Sequence, residues 1–370
     1  MSKVLVIPFF IPHAGCPFTC VFCNQWGITG ETTLAEPAGM EEKVREYLQT
    51  VSDTPNSIET AFFGGSFTGL PEAIQIRWLT AGNDLIKKGL ITGIRLSTRP
   101  DYINEKNLQM LHTYGVTTIE LGVQSLVNEV LTKSRRGYTY DDVVKAVEEV
   151  RKFPFDLSFQ LMLGLPGDNP EAAFLTAQRT IKLKPDLIRI YPTVVIKNTV
   201  LEKWYKEGSY VPWTLQQAIE TAAGWLCFFS LYDIPVIRMG LQATENLTIG
   251  HELVAGPYHP AFGELVESML MLRHILAMLD MLSTADDAEL IAIDEAERSY
   301  HEIMIYFHPL DYSKVVGQKR ANIQYLQKKF RIDHLELKPD DSLSSGDLRI
   351  RIDSFDLSLT RQEYLERYRI

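Results

Sequence analysis

The feature that most constrains this chain is an alternation repeated along its first half. Short apolar, β-rich runs are each followed by a stretch with helical periodicity. The runs are Val4 to Phe10 (VLVIPFF), Ile58 to Gly65 (IETAFFGG), Gly93 to Pro100 (GIRLSTRP), Thr117 to Ser125 (TTIELGVQS), Leu157 to Gly167 (LSFQLMLGLPG) and Asp186 to Pro192 (DLIRIYP). Four of the intervening segments, such as PEAIQIRWLTAGNDLIKK and TYDDVVKAVEEVRK, are amphipathic. Strands alternating with helices predict a parallel sheet with right-handed crossovers. Near-continuous apolar strands fit a sheet covered on both faces. In an open sheet or a barrel of this kind, functional loops collect at the C-terminal ends of the strands.

Those strand ends carry the chemistry-bearing residues. The first run leads into HAGCPFTCVFCNQ, three cysteines spaced C-x3-C-x2-C, and the whole chain has only four cysteines. The second run ends on Gly64-Gly65, the third holds Ser97, the fourth Gln124, and the fifth runs into Leu165-Pro166-Gly167. Four cysteines in 370 residues, three of them clustered, do not make a secreted disulfide framework. The net charge of −10 excludes global attraction to nucleic acid or anionic membrane, though not a local basic patch. No apolar run is long enough to cross a bilayer, and Pro8 and Pro12 interrupt the one leader-like stretch at the N-terminus. A cytoplasmic location is expected.

Three thiolates within eight residues serve one of two centres. With His13 they make a Cys3His zinc site. Alternatively they hold three irons of a [4Fe–4S] cluster and leave the fourth open. Cys227, in the apolar helical run AAGWLCFFSLY, reads as a small buried hydrophobe.

The cysteine spacing, with Phe22 just before the last thiol and Gly-Gly on the next strand, resembles the radical S-adenosylmethionine (SAM) superfamily. The resemblance covers about residues 1 to 265 and implies a partial (β/α)6 barrel. It also implies that Cys16, Cys20 and Cys23 ligate a [4Fe–4S] cluster whose fourth iron is chelated by SAM. SAM is then cleaved to a 5′-deoxyadenosyl radical that takes a hydrogen atom from the substrate, and an electron donor such as flavodoxin or ferredoxin is needed. By the same resemblance, Gly64, Gly65 and Ser66 contact the SAM ammonium through their backbone. Ser97 lies where the coproporphyrinogen oxidase branch has a ribose-binding carboxylate. Gln124 and Arg136 match that branch's polar pair near SAM, with Arg136 facing the carboxylate. The loop Leu163 to Pro166 lies against the adenine. Taken singly, each has a plainer reading: a tight turn at Gly64-Gly65, a turn residue at Ser97, a solvated helix-end charge at Arg136.

The stretches GGSFTGL, STRPDYI, TIELGVQS, RRGYT and IRIYPTVVIKNTVLEKWYKEGSY resemble, in order and spacing, the radical SAM half of the Elongator catalytic subunit family. That family is associated with modification of the tRNA wobble uridine and also carries an acetyltransferase. No stretch here has the length or motif for an acetyltransferase, so a complete Elongator-type reaction is not implied. The domain organisation expected is a radical SAM partial barrel over 1–230, a mostly helical extension over 231–298 and a small α+β unit over 299–370. Within the extension, AGPYHPAFGELV is the expected substrate-proximal loop, with Tyr258 and His259 as polar contacts. The last unit, a strand, then YSKVVGQKRANIQYLQKKF, then a strand, resembles a KH RNA-binding module. In such a module a G-x-x-G loop between two helices grips the phosphate backbone. Gly317, Lys319 and Arg320 fall in that loop, and Lys314, Lys328, Lys329 and Arg331 add positive charge.

Three functions follow as expectations. The first is a radical SAM enzyme acting on tRNA or other RNA. The second is a radical SAM oxidoreductase acting on a small molecule, as in coproporphyrinogen oxidase. The third is a non-catalytic, metal-stabilised RNA-binding protein.

Overall fold

A computed structural model describes residues 4–11, 16, 20–24, 36–51, 55–242, 251–285, 300–352 and 355–367. His13 and most of the acidic segment 283–297 lie outside the described residues. Two compact units divide the chain: 1–218 with 234–260, and 219–233 with 261–370.

The first unit is built on a seven-stranded sheet of order β1-β2-β3-β4-β5-β6-β8. Its strands are β1 (Val4–Ile11), β2 (Ser57–Gly64), β3 (Gly93–Thr98), β4 (Val116–Gln124), β5 (Asp156–Leu163), β6 (Leu187–Pro192) and β8 (Val236–Met239). Every pairing is parallel. The six runs read from the sequence all become strands, and the strand-like Ile234–Gly240 stretch adds the seventh. Because each strand pairs with the next along the chain, right-handed crossovers place the connecting helices on one face and the sheet curls into a half-barrel. The crossover helices include α2 (Glu72–Lys87), α3 (Glu105–Thr113), α4 (Asn128–Lys133), α5 (Tyr140–Val150) and α6 (Pro170–Leu183); α1 (Met40–Gln49) precedes β2. Local chemistry sets several helix starts. Asn104 and Thr139 close capping boxes on α3 and α5, and the Asn169 side chain accepts from Ala172 N–H at the start of α6.

The helix-covered face of the sheet is the apolar core. Ile94, Leu96, Ile119, Leu121, Phe159, Leu161, Ile188 and Ile190 have no exposed surface. Phe62 meets Trp78 of α2 edge-on, with ring centroids 5.4 Å apart. At Gly82 of α2 an added Cβ would sit 2.6 Å from Ile94 Cδ1, so helix and strand are in close contact there.

A two-stranded antiparallel ladder completes this unit, β7 (Val195–Ile196) with β9 (Leu253–Ala255). The short helix α7 (Val200–Lys206) follows β7. Further on come the helices α8 (Leu215–Ser230) and α9 (Phe262–Ala285).

The second unit carries a four-stranded sheet of order β11-β10-β12-β13. Its strands are β10 (Glu302–Phe307), β11 (His334–Pro339), β12 (Leu348–Ile352) and β13 (Phe355–Leu359). Strand β10 is parallel to β11 and antiparallel to β12. Between β10 and β11 the single helical run of the sequence breaks at Gly317 into α10 (Tyr312–Val316) and α11 (Ala321–Lys329). Strand β13 and helix α12 (Arg361–Arg367) are additions that the sequence reading did not place.

Candidate functional site

The cysteine loop leaves the C-terminal end of β1 and is fastened on both sides. Val21 N–H donates to Ser134 O at 3.3 Å, and Leu201 N–H donates to Val21 O at 2.7 Å. Asn24 Nδ2 donates to Lys197 O at 2.9 Å. Val21 has no exposed surface and packs with Val195, Leu201 and Tyr210, while Phe22 and Trp204 cover the same cluster. These anchors hold Val21 and Asn24, next to Cys20 and Cys23, without using a thiol.

The thiols meet cations and backbone donors. Arg136 Nη1 donates to Cys20 Sγ at 2.9 Å, Nε to Tyr138 Oη at 2.8 Å, and Nη2 to Gly122 O at 2.7 Å. The guanidinium is therefore clamped in one orientation in a buried site. Burial opposes its charge, but Tyr138 and the Cys20 sulfur outweigh that, so its pKa lies above the ordinary value. Burial raises the Cys16 pKa, partly offset by a hydrogen bond from Ser66 N–H and by the charges of Arg99 and Arg136. Arg99 forms a bidentate pair with Asp101 at 2.9 Å and donates to Arg136 O, so the two arginines brace each other. The absence of a side chain at Gly122 makes room for this arrangement. An added Cβ would lie 3.1 Å from Gln124 Nε2 and 3.5 Å from Arg136 Nη2.

The Gly64-Gly65 turn has two structural requirements of its own. Gly64 has φ +106°, and a Cβ there would lie 3.1 Å from Ile11 O. Gly65 N–H donates to Ile11 O at 2.8 Å, which ties the second strand end to the root of the cysteine loop. Ser66 Oγ bonds Thr98 Oγ1 at 2.9 Å and accepts from Arg99 N–H at 3.3 Å. The structure thus gathers Cys16, Cys20, Ser66, Gln124 and Arg136 at one end of the sheet, together with Arg99 and Tyr138, which the sequence did not single out.

Below them, the uncovered face of the sheet is charged. Glu120 Oε1 accepts from Arg95 Nη1 and Arg189 Nη2, both at 2.9 Å. Its Oε2 accepts from Gln160 Nε2 at 2.8 Å and Ser97 Oγ at 3.4 Å. Glu59 accepts from Arg95 Nε at 2.8 Å, and from Thr117 and Thr118 hydroxyls at 2.8 and 2.9 Å. Two glutamates and two arginines balance, and every carboxylate oxygen has a donor. Arg189 also lies 5.1 Å from the Phe63 ring centroid, and its Nε is buried without a hydrogen-bond partner. Ser97 therefore sits in this interior network, bonded to Gln160 at 3.1 Å as well as to Glu120. Leu163 is buried and in register with the core residues Phe159 and Leu161 on the covered face, so only its backbone is available to the interior.

Glu59, Arg95, Glu120, Gln160 and Arg189 were missed in sequence, yet the signal was present. In TTIELGVQ, FQLML and IRIYP, polar or half-exposed residues alternate with apolar ones, which is the period of a two-faced strand.

Tyr258 packs on Val194, Ile196 and Leu253, and its N–H donates to Gly256 O at 2.9 Å. His259 is half-buried beside it. In the second unit Lys314 is paired with Asp311 at 2.8 Å. Lys319 and Arg320 are exposed and both adopt left-handed backbone, φ 52° and 63°. At Gly317 a Cβ would lie 2.9 Å from the Asn322 side chain, so the turn needs a glycine there. Lys328 is exposed, and Lys329 lies 5.3 Å from the Phe330 ring centroid. Cys227 is half-buried, and burial raises its pKa.

The radical SAM superfamily model matches residues 10–178, and a radical SAM C-terminal domain model matches 185–271. The tRNA uridine(34) acetyltransferase of Methanocaldococcus jannaschii is 30% identical over 259 residues, which are 60% of this chain and 48% of that protein. An uncharacterised protein of the same organism is 28% identical over 267 residues, 69% of this chain and 81% of that protein. Among solved structures, the archaeal Methanocaldococcus infernus Elp3 with an N-terminal deletion aligns with a TM-score of 0.57 at 24% identity. That alignment covers 74% of this chain and 64% of that one. The chain spans about half the length of the tRNA uridine(34) acetyltransferases it matches.

Proposed function

Because the chain belongs to the radical SAM superfamily, we propose that it is a cytoplasmic radical SAM enzyme whose substrate is a tRNA base. The superfamily uses a [4Fe–4S] cluster and SAM, and the residues present fit them. The observation that carries the reading is the electropositive, hydrogen-bonded seat of the thiols: Arg136 on Cys20 Sγ and Ser66 N–H on Cys16 Sγ. Among the described residues no three His, Cys, Asp or Glu converge on a single-ion site. A cluster asks each thiolate for a different iron, so the three need not converge.

Cys16, Cys20 and Cys23 would hold the cluster, with SAM beside it against Gly64, Gly65, Ser66, Gln124 and Arg136. When bound and given one electron by an external donor, the pair would supply a 5′-deoxyadenosyl radical able to take a hydrogen atom from the substrate. The chain's own residues orient and enclose. The anchors on Val21 and Asn24 hold the loop, Arg136 fixes Cys20 through a charge-assisted bond, and the Glu120 network gives the interior a fixed polar wall. The tRNA substrate rests on the similarity to the tRNA uridine(34) acetyltransferases and on the KH-like turn. There the exposed Lys319 and Arg320 would meet phosphates, helped by Lys328 and Lys329.

Anaerobic reconstitution with iron, sulfide, SAM and a reductant tests the chemistry. The expected result is 5′-deoxyadenosine, abolished in Cys20→Ala and retained in Cys227→Ala. A colourless protein holding stoichiometric zinc would overturn it. Filter binding of tRNA at low salt tests the substrate separately.

A further inference from the structure

A pocket of about 450 Å3 opens on the outer lip of the turn after β5. Two half-buried indoles line it, Trp204 and Trp213, together with Lys133 and the backbone of Gly164 to Asp168. The pocket is built. Gly164 has φ +76°, and a Cβ there would lie 3.0 Å from Trp213 Cγ, so the indole rests directly on the turn. Tyr210 Oη donates to Gly164 O at 2.7 Å. The Asp168 carboxylate is turned inward onto Gly164 N–H at 2.8 Å and Asn169 N–H at 3.0 Å. The lysine stem crosses Gly167, where a Cβ would lie 2.7 Å from Lys133 Cδ.

Two cations stand at the rim. Lys133 pairs with Glu129 at 2.7 Å on the exposed surface. Arg135 is exposed, lies 5.7 Å from the Trp204 ring centroid, and has no ion-pair partner among the described residues. Its backbone is left-handed, φ 54°, so the chain reverses between two adjacent arginines. Arg136 turns inward to Cys20 while Arg135 remains at the surface over Trp204.

The geometry points to a site for one nucleotide of single-stranded RNA, with its base against Trp204 and Trp213 and its phosphate at Arg135 and Lys133. Indole faces accept any base, and the Arg135 guanidinium, beside a Lys133 shared with Glu129, supplies the attraction for the backbone. The location suits a substrate-guiding contact, because Ser134, next to Arg135, holds the cysteine loop through Val21. This inference rests on the RNA-substrate reading and deepens it.

The test uses the full chain and a fluorescein-labelled single-stranded oligoribonucleotide, followed by anisotropy at low salt. Trp204→Ala and Arg135→Glu are each expected to weaken binding by roughly 5- to 100-fold, the equivalent of one stacked base or one lost phosphate contact. Trp204→Phe, which keeps a ring, should restore most of the affinity and controls for folding. Saturating oligonucleotide should also quench tryptophan fluorescence in the wild type more than in Trp204→Ala. Wild-type affinity in both weakened variants overturns the pocket and leaves the RNA reading standing. No binding by the wild type overturns both. Equal affinity for a free nucleoside monophosphate overturns the single-strand assignment, since an RNA strand adds rim contacts that a monomer lacks.

Discussion

The two faces of the half-barrel sheet come from the same strands and do opposite work. On the covered face, Ile119 and Leu121 of β4, Phe159 and Leu161 of β5, and Ile188 and Ile190 of β6 are fully buried among themselves and the helices. One residue away along each strand, Glu120, Gln160 and Arg189 form an ion-pair and hydrogen-bond network on the open face. An apolar face stabilises by removing area from water, whereas a buried charge network costs desolvation and returns it only if every partner is present. The comparison teaches that stability and chemistry are separated here by a single residue step, so substitutions on the two faces should fail differently.

The largest effect lies above both faces. Cys20→Ala should lose cluster iron and all 5′-deoxyadenosine formation, and the apoprotein should lose about 1–3 kcal/mol because the buried Arg136 Nη1 is left without its acceptor. Iron analysis and calorimetry check this. Next, Glu120→Ala and Phe159→Ala should each cost about 3–5 kcal/mol in denaturant unfolding, the first by stranding Arg95 and Arg189, the second by opening a cavity. They separate on repair. Phe159→Leu should recover most of its loss, while Glu120→Leu should recover little, because volume is not what Glu120 supplies. If the two respond alike, the contrast between faces fails.

Asp168 sharpens the picture at a strand end. Burial raises its pKa from the ordinary carboxylate value to about 6. Between the unfolded value and 6 the native state binds the extra proton, so this group makes stability fall as pH rises through that window. Asp168→Asn should flatten melting temperature against pH there, with little net gain at pH 8, because the amide oxygen can accept only one of the two N–H bonds that the carboxylate accepts. The smallest effect expected is Gln160→Ala, about 1 kcal/mol or less in stability, since the residue is half-exposed. Its cost should instead appear in SAM-dependent turnover. A variant that turns over normally would make the open-face network purely structural.

Much of this was legible from residue order. The six strands, the cysteine loop after the first and the glycine pair after the second are local signals, set by period, spacing and turn chemistry. The break at Gly317 was expected only through the resemblance to a KH module; by periodicity the stretch reads as one helix. What stayed hidden depends on alignment between strands. Near-continuous apolar runs suggested a sheet covered on both sides. The registers set Arg95 beside Thr118 and Arg189 beside Gln160, one step below and one step above Glu120, so that the network closes only through long side chains reaching across strands. Arg136 was read as a contact for SAM, while its hydrogen bond to Cys20, 116 positions away, depends on the fold alone.

The neighbour-by-neighbour order of the sheet has a consequence for synthesis. A sheet whose strands pair only with the next in line can grow one βα unit at a time as the chain emerges, with little long-range closure to await. Cys20, Val21 and Asn24 take their fastenings from Ser134, Arg136, Lys197 and Leu201, each more than a hundred residues further along the chain. The nascent chain thus passes through a long interval with its cysteines untethered, and iron delivered before β6 has formed would meet a loop with no seat.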